Sequence, residues 1–151
     1  MLEIYVDAAG CPVKDQVYRV AGRYGLTVWV VANVWLRVPD DPGVRRVTVT
    51  EGFDRADDWI AERIAPGDIA ITADVPLAAR CVERGARAIV PDGRTFDEAS
   101  IGTALADRNL MTALRDAGEI RGGGRPFTKQ DRSRFLNALD TAIQAIRRTG
   151  H

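Results

Sequence analysis

Four aspartates at or just beyond strand-like runs are the residues here best suited to chemistry. Asp7 follows Ile4-Tyr5-Val6, and Asp74 follows Ile69-Ala70-Ile71-Thr72. Asp57 and Asp58 open a helical stretch just downstream of Arg46-Val47-Thr48-Val49. If these strands run parallel, all four carboxylates fall on one edge of one sheet, where open α/β sheets bind ligands. Two carboxylates roughly 6 Å apart repel by about 3 kcal/mol at an effective dielectric of roughly 20. Such a cluster either raises a pKa or takes up a cation. Mg²⁺ and Mn²⁺ suit oxygen ligands and bridge to phosphate, so hydrolysis of a phosphodiester by an activated water is the natural chemistry.

Each aspartate also has an ordinary structural use. Asp7 and Asp74 are placed as turn formers, and Asp57 and Asp58 suit the first turn of a helix dipole. Asp54 reads as a helix cap. Only the convergence of separate segments favours a site.

Other chemistries lack their parts. The only histidine is the terminal His151, and the two serines, Ser100 and Ser133, lie in helical contexts. A Ser-His-Asp or Cys-His apparatus has no base. No GxGxxG or Walker sequence follows a strand, which argues against dinucleotide and nucleoside triphosphate cradles. Cys11 and Cys81 are too few and too far apart for a disulfide framework or a zinc motif. Cys11 stands at a helix N-terminus, where a thiol pKa falls, yet no resolving thiol is near and a packed, inert cysteine is the better reading.

With 21 basic and 21 acidic residues the formal net charge is zero, so a nucleic-acid partner requires a local basic patch. The segment from Arg121 to Arg134 offers one. Three glycines, Gly122 to Gly124, precede Arg125, Lys129, Arg132 and Arg134 near a helix N-terminus, a setting that favours phosphate. Lys14 and Asn33, at the same sheet edge as Asp7, join them as substrate-binding candidates. Trp29 and Trp59 read as core; Trp35, in the loop leaving the second strand, is the tryptophan to watch.

These residues are positioned by strands at Glu3–Val6, Thr27–Ala32, Arg46–Val49, Asp68–Thr72 and Ala86–Val90. Helices are expected from Pro12 to Gly25, from Asp54 to Pro66, over Pro76–Arg84 and Ile101–Ala117, and from Thr128 onward, where Asp131 completes a weak capping signal. The rhythm β-α-β-β-α-β-α-β-α-α favours a mostly parallel sheet with helices on both faces. At 46% hydrophobic and 28% charged, the chain reads as one soluble domain. It begins directly with a strand and holds no apolar run of transmembrane length, so a cytoplasmic protein without a membrane partner is expected.

Four motifs in order also carry a resemblance. They are Val6-Asp7-Ala8-Ala9-Gly10-Cys11-Pro12-Val13-Lys14, Gly52-Phe53-Asp54-Arg55-Ala56-Asp57-Asp58-Trp59-Ile60, Thr72-Ala73-Asp74-Val75-Pro76-Leu77-Ala78, and Pro126-Phe127-Thr128 with Asp131-Arg132. Over nearly the whole chain they resemble the YaiI/YqxD family, small bacterial proteins related to the PIN-like nucleases. The resemblance implies a single three-layer PIN-like domain over residues 1–151, with a mostly parallel five-stranded central sheet and the first and fourth strands side by side. It implies a metal-dependent nuclease acting on RNA or DNA, single-stranded or structured RNA foremost. Asp7, Asp57, Asp58 and Asp74 would hold Mg²⁺ or Mn²⁺, with Asp7, Asp58 and Asp74 catalytic. Two departures weaken that site. The family opening usually resembles Asp-Ala-Asp, and this chain has Ala9 at the second aspartate; Asn109 stands where an acidic residue is expected.

Two other classes stay open. A non-catalytic nucleic-acid-binding or interaction protein on the same scaffold is the main rival, and a homodimer is one assembly it could adopt. A haloacid-dehalogenase-type phosphatase with Asp7 as nucleophile ranks below it, because Ala9 deletes the general acid.

Overall fold

A computed structural model describes residues 1–50, 55–116 and 126–149, with residues 110–116 described by backbone alone. The expected cap Asp54, the glycine run, Arg125 and His151 lie outside the described residues. The described strands are β1 (Glu3–Asp7), β2 (Thr27–Ala32), β3 (Val44–Thr48), β4 (Ile69–Ile71), β5 (Arg87–Ile89) and β6 (Thr95–Phe96). The helices are α1 (Lys14–Tyr24), α2 (Arg55–Arg63), α3 (Val75–Glu83), α4 (Ile101–Asp116) and α5 (Lys129–Arg148).

Strand order in the sheet is β3-β2-β1-β4-β5-β6. The first five run parallel, with Val6 opposite Val30 on one side and Ile71 on the other. β6 pairs antiparallel with β5. The sheet is therefore mixed and six-stranded, correcting the expected five. Thr95-Phe96 is too short to carry an alternation of its own, and it forms only because the turn at Pro91–Arg94 folds it back onto β5.

Side-chain alternation along the strands divides the core between two faces. Ile4 and Val6 point toward α1 and α5, where they meet Val17, Val20, Phe135, Leu139 and Ile143. Tyr5 points the other way, toward Ile60 of α2 and Leu77 and Cys81 of α3, with Ile101 and Ala104 of α4 packed alongside. Tyr5, Trp29 and Trp59 form an aromatic group on that face, with ring centroids 5.7 to 6.3 Å apart. These two tryptophans are thus packed, as expected. At the amino end of the sheet, the buried Asp68 carboxylate accepts from the Glu3 and Ala65 amides at 2.9 and 3.0 Å. No helix among the described residues is long and apolar enough to cross a membrane.

The chain leaves β1 toward β2 through α1 on one face, and reaches β4 from β3 through α2 on the other. The strand order reverses between β1 and β4. A crevice opens at such a reversal, outside the carboxyl ends of the strands.

Candidate functional site

Asp7 is the last residue of β1, and Thr72 and Asp74 follow β4 directly. All three stand at the crevice because β1 and β4 are neighbours in register. Thr72 is 2% exposed. Its hydroxyl donates to Asp7 Oδ2 at 2.9 Å and accepts from the Asp74 amide at 3.0 Å. Asp74 caps α3, its Oδ1 accepting from the Leu77 amide at 3.2 Å, with Pro76 in the first turn. The structural use anticipated for Asp74 is real, and it coexists with a place in the crevice.

The crevice is a cleft of about 610 Å³ lined by residues of five regions. Asp7 and Asp74 are joined by Asp92 beyond β5, with Arg108 of α4 and Phe127 before α5 also facing the space. A neighbouring hollow of about 910 Å³ shares Ala73, Val75 and Arg108 with it. The larger hollow is lined by neither Asp7 nor Asp74, so size alone is a poor guide to the chemistry. Burial raises the Asp7 carboxyl above the usual carboxylate range; the Thr72 hydrogen bond opposes this and the negative charge of Asp74 adds to it.

The other sequence-designated residues scatter. Asp58 pairs with Arg80 of α3 at 2.9 Å and lines a separate groove beside Val47, Thr48 and Trp59. Asp57 acts electrostatically on Cys81. Neither is among the residues lining the cleft. No group of three or more Asp, Glu, His or Cys side chains among the described residues converges enough to cage a metal ion. Lys14 begins α1 and Asn33 follows β2 exposed to solvent; neither lines the cleft.

At α5 the weak capping signal is a complete capping box. The Thr128 side chain accepts from the Asp131 amide at 3.1 Å, and the Asp131 carboxylate accepts from the Thr128 amide at 2.9 Å. Arg132 lies over the Phe127 ring at 5.6 Å, which ties it to the cleft wall. Lys129 is exposed, and Arg134 is partly engaged by Asp131 at 3.5 Å.

Cys11 lines the cleft, but α1 begins three residues later at Lys14, so the thiol sits in the preceding turn rather than at the helix N-terminus. Its pKa is raised, chiefly by burial. The lowering that a helix N-terminus would bring does not prevail, and the inert reading fits.

Two aspartates at the ends of neighbouring parallel strands do not by themselves fix a function; the whole-chain comparison gives the family. The model described as "Uncharacterized BCR, YaiI/YqxD family" matches residues 5–145. The chain belongs to the YaiI/YqxD family. A UPF0178 protein of Rhodopseudomonas palustris (strain BisB18) is 61% identical over 97% of this chain and 94% of its own. A UPF0178 protein of Nitrobacter winogradskyi is 58% identical, covering 97% and 94%, and one of Bradyrhizobium sp. (strain ORS 278) is 57% identical, covering 97% and 90%. No solved structure matches the chain.

Four cleft residues of this YaiI/YqxD member had no site role assigned from the sequence, although Thr72 and Phe127 stand in two of its motifs: Thr72, Asp92, Arg108 and Phe127. Asp92 had a usable signal, since it follows a strand as Asp7 and Asp74 do. Its turn chemistry masked it: Oδ1 accepts from the Arg94 amide at 3.1 Å, and the carboxylate pairs with the Arg94 guanidinium. Arg108 carries no local signal, and Phe127 stood out only as part of a motif; the packing of α4 and α5 brings both to the cleft.

Proposed function

We propose that this protein is a Mg²⁺- or Mn²⁺-dependent nuclease that hydrolyses phosphodiester bonds in RNA or DNA through Asp7 and Asp74. The reading rests on one observation above others. Two carboxylates from adjacent parallel strands share the crevice at the strand-order reversal, and burial disfavours the charge on one of them. A cation relieves that state. Mg²⁺ keeps several waters and is usually held by one or two carboxylates plus substrate phosphates rather than by an all-protein cage. Asp7 and Asp74 fit that donor set, with Asp92 a third carboxylate on the wall. Bound there, the ion would supply polarisation of the phosphodiester and a bound water of lowered pKa.

The chain's own residues supply the rest. Thr72 fixes the orientation of the Asp7 carboxylate. Arg108 and Arg132 offer charge to substrate phosphates, and Lys14, Asn33, Lys129 and Arg134 are proposed as contacts along the approach, with Arg125 on the same segment. Asp57 and Asp58 lie outside this core.

Ala9 faces the cleft, and Arg80 neutralises Asp58. Both observations favour a second reading, a nucleic-acid-binding or interaction protein without turnover. Incubating single-stranded RNA and DNA oligonucleotides with the protein and millimolar Mn²⁺ separates the two. Cleavage that chelation abolishes and that Ala9→Asp increases supports the nuclease. Salt-sensitive binding with no cleavage at any Mn²⁺ concentration supports the binding protein and rejects the nuclease.

A further inference from the structure

We infer that Trp35 and Arg46 form a stacking site for a base of single-stranded nucleic acid, an inference that takes its ligand class from the reading above. Of the three tryptophans, Trp29 and Trp59 pack into the sheet face, whereas Trp35 is 63% exposed and its neighbour Val34 is 53% exposed. An exposed apolar residue standing singly is ordinary; this one is built upon. The Arg46 guanidinium sits 4.6 Å from the Trp35 ring centroid. That pairing holds one face of the indole against a cation and orients the ring.

Arg37 on the β2–β3 connection and Arg46 on β3 are exposed; Arg45 turns to the other face of the sheet and lies over Trp29 at 5.5 Å. The acids of the connection are Asp40 and Asp41, and the Asp41 side chain is occupied by the Gly43 amide at 2.8 Å. The formal charges of this segment balance, and it is the placement of Arg46 against the ring that favours a phosphate beside a stacked base. An indole with an open face and arginines alongside suits unpaired bases over a phosphate backbone, while the bases of a duplex are already stacked on one another. Position agrees. Trp35 lies four residues beyond Val31, the register partner of Asp7, so the two Cα atoms are within roughly 20 Å. A strand stacked on Trp35 lies at the same sheet edge as the cleft.

The test is fluorescence anisotropy with labelled oligo-uridine, oligo-thymidine and a blunt duplex of equal length, in chelator so that nothing is cut. Single strands should bind more tightly than duplex. Trp35→Ala should weaken single-strand binding about tenfold, and Trp35→Phe should recover most of the loss. Arg46→Ala should reduce the salt slope by about one. Because Trp35 is exposed, melting of the Trp35→Ala protein should stay at that of the parent, which separates lost stacking from lost folding.

Unchanged single-strand affinity in Trp35→Ala overturns the inference, as does a parent protein that binds no single strand. A dimer that Trp35→Ala dissociates without changing single-strand affinity overturns it too, in favour of a contact between copies. Trp35-dependent binding without Mn²⁺-dependent cleavage would remove the nuclease reading and leave this site standing. Cleavage and binding both indifferent to Trp35→Ala would do the reverse.

Discussion

The Thr72 hydroxyl donates its one proton to Asp7 Oδ2 at 2.9 Å, and the Thr72 oxygen accepts from the Asp74 amide at 3.0 Å. A single buried side chain thus couples the end of β1 to the cap of α3 across the crevice. Thr72→Val keeps the shape but removes both bonds and strands the Asp74 amide. A loss of about 1–3 kcal/mol is expected, measured by urea denaturation, together with a carboxyl at Asp7 that protonates still more readily.

Asp7 should cost stability at neutral pH. Its folded pKa is raised, by burial first and by Asp74 as well, so the folded protein holds that proton more tightly than the unfolded chain does. Below the unfolded value of about 3.9 both states are protonated and no stability is lost. As pH rises through the folded pKa, the folded state surrenders the proton and stability falls. Asp7→Asn should therefore melt above the parent at pH near 7 and lose that advantage on acidification. Mn²⁺ should raise the melting temperature of the parent more than that of Asp7→Asn, because an ion that binds the folded state stabilises it. An Asp7→Asn protein less stable than the parent at neutral pH would show Asp7 to be a structural residue.

Charge and capping at Asp74 are separable. Asparagine caps a helix about as well as aspartate, so Asp74→Asn should melt near the parent while Mn²⁺-dependent cleavage falls. The fall should exceed the roughly 10–100-fold typical of residues that only orient a metal ligand. Asp58→Asn is the control. It removes a half-exposed pair with Arg80, worth about 1 kcal/mol or less, and should leave cleavage within a few-fold of the parent.

Gly93 bears on the cleft from a distance. Its φ is +100°, and a Cβ there would lie 2.8 Å from the Arg134 Cβ and 2.9 Å from its carbonyl carbon. Gly93→Ala should cost about 1–3 kcal/mol or more through strain and clash combined. Because Asp92 precedes it and α5 packs on it, loosened protection of the first α5 amides should accompany the loss in hydrogen exchange.

Neither cysteine should react in the folded protein. Burial pushes the Cys81 thiol up to about 12, and the Cys11 thiol is raised as well. Iodoacetamide near neutral pH should label both only after unfolding in urea, read by intact mass. Rapid labelling of native Cys11 would show that the cleft lowers its pKa after all.

Much of the scaffold was legible in the residues because its signals are local. Apolar runs marked the five parallel strands to within two residues. Gly25 marked the end of α1, and Thr128 with Asp131 marked the start of α5, since caps and periodicities depend on neighbours three or four positions apart. The meeting of Asp7 and Asp74 was also legible, given the strand–helix alternation and the resemblance that put the first and fourth strands side by side. Tertiary packing decided what lies between distant elements. Whether Asp58 meets a cation or a carboxylate depends on how α2 and α3 cross, and Arg80 stands 22 positions away. A two-residue strand such as β6 exists only once β5 is there to pair with it. The rise in the Asp7 carboxyl follows from burial, and burial belongs to the assembled cleft: the sequence by itself supplied the charges and the edge they stand on, while the fold determined which of them keep their water and which find partners.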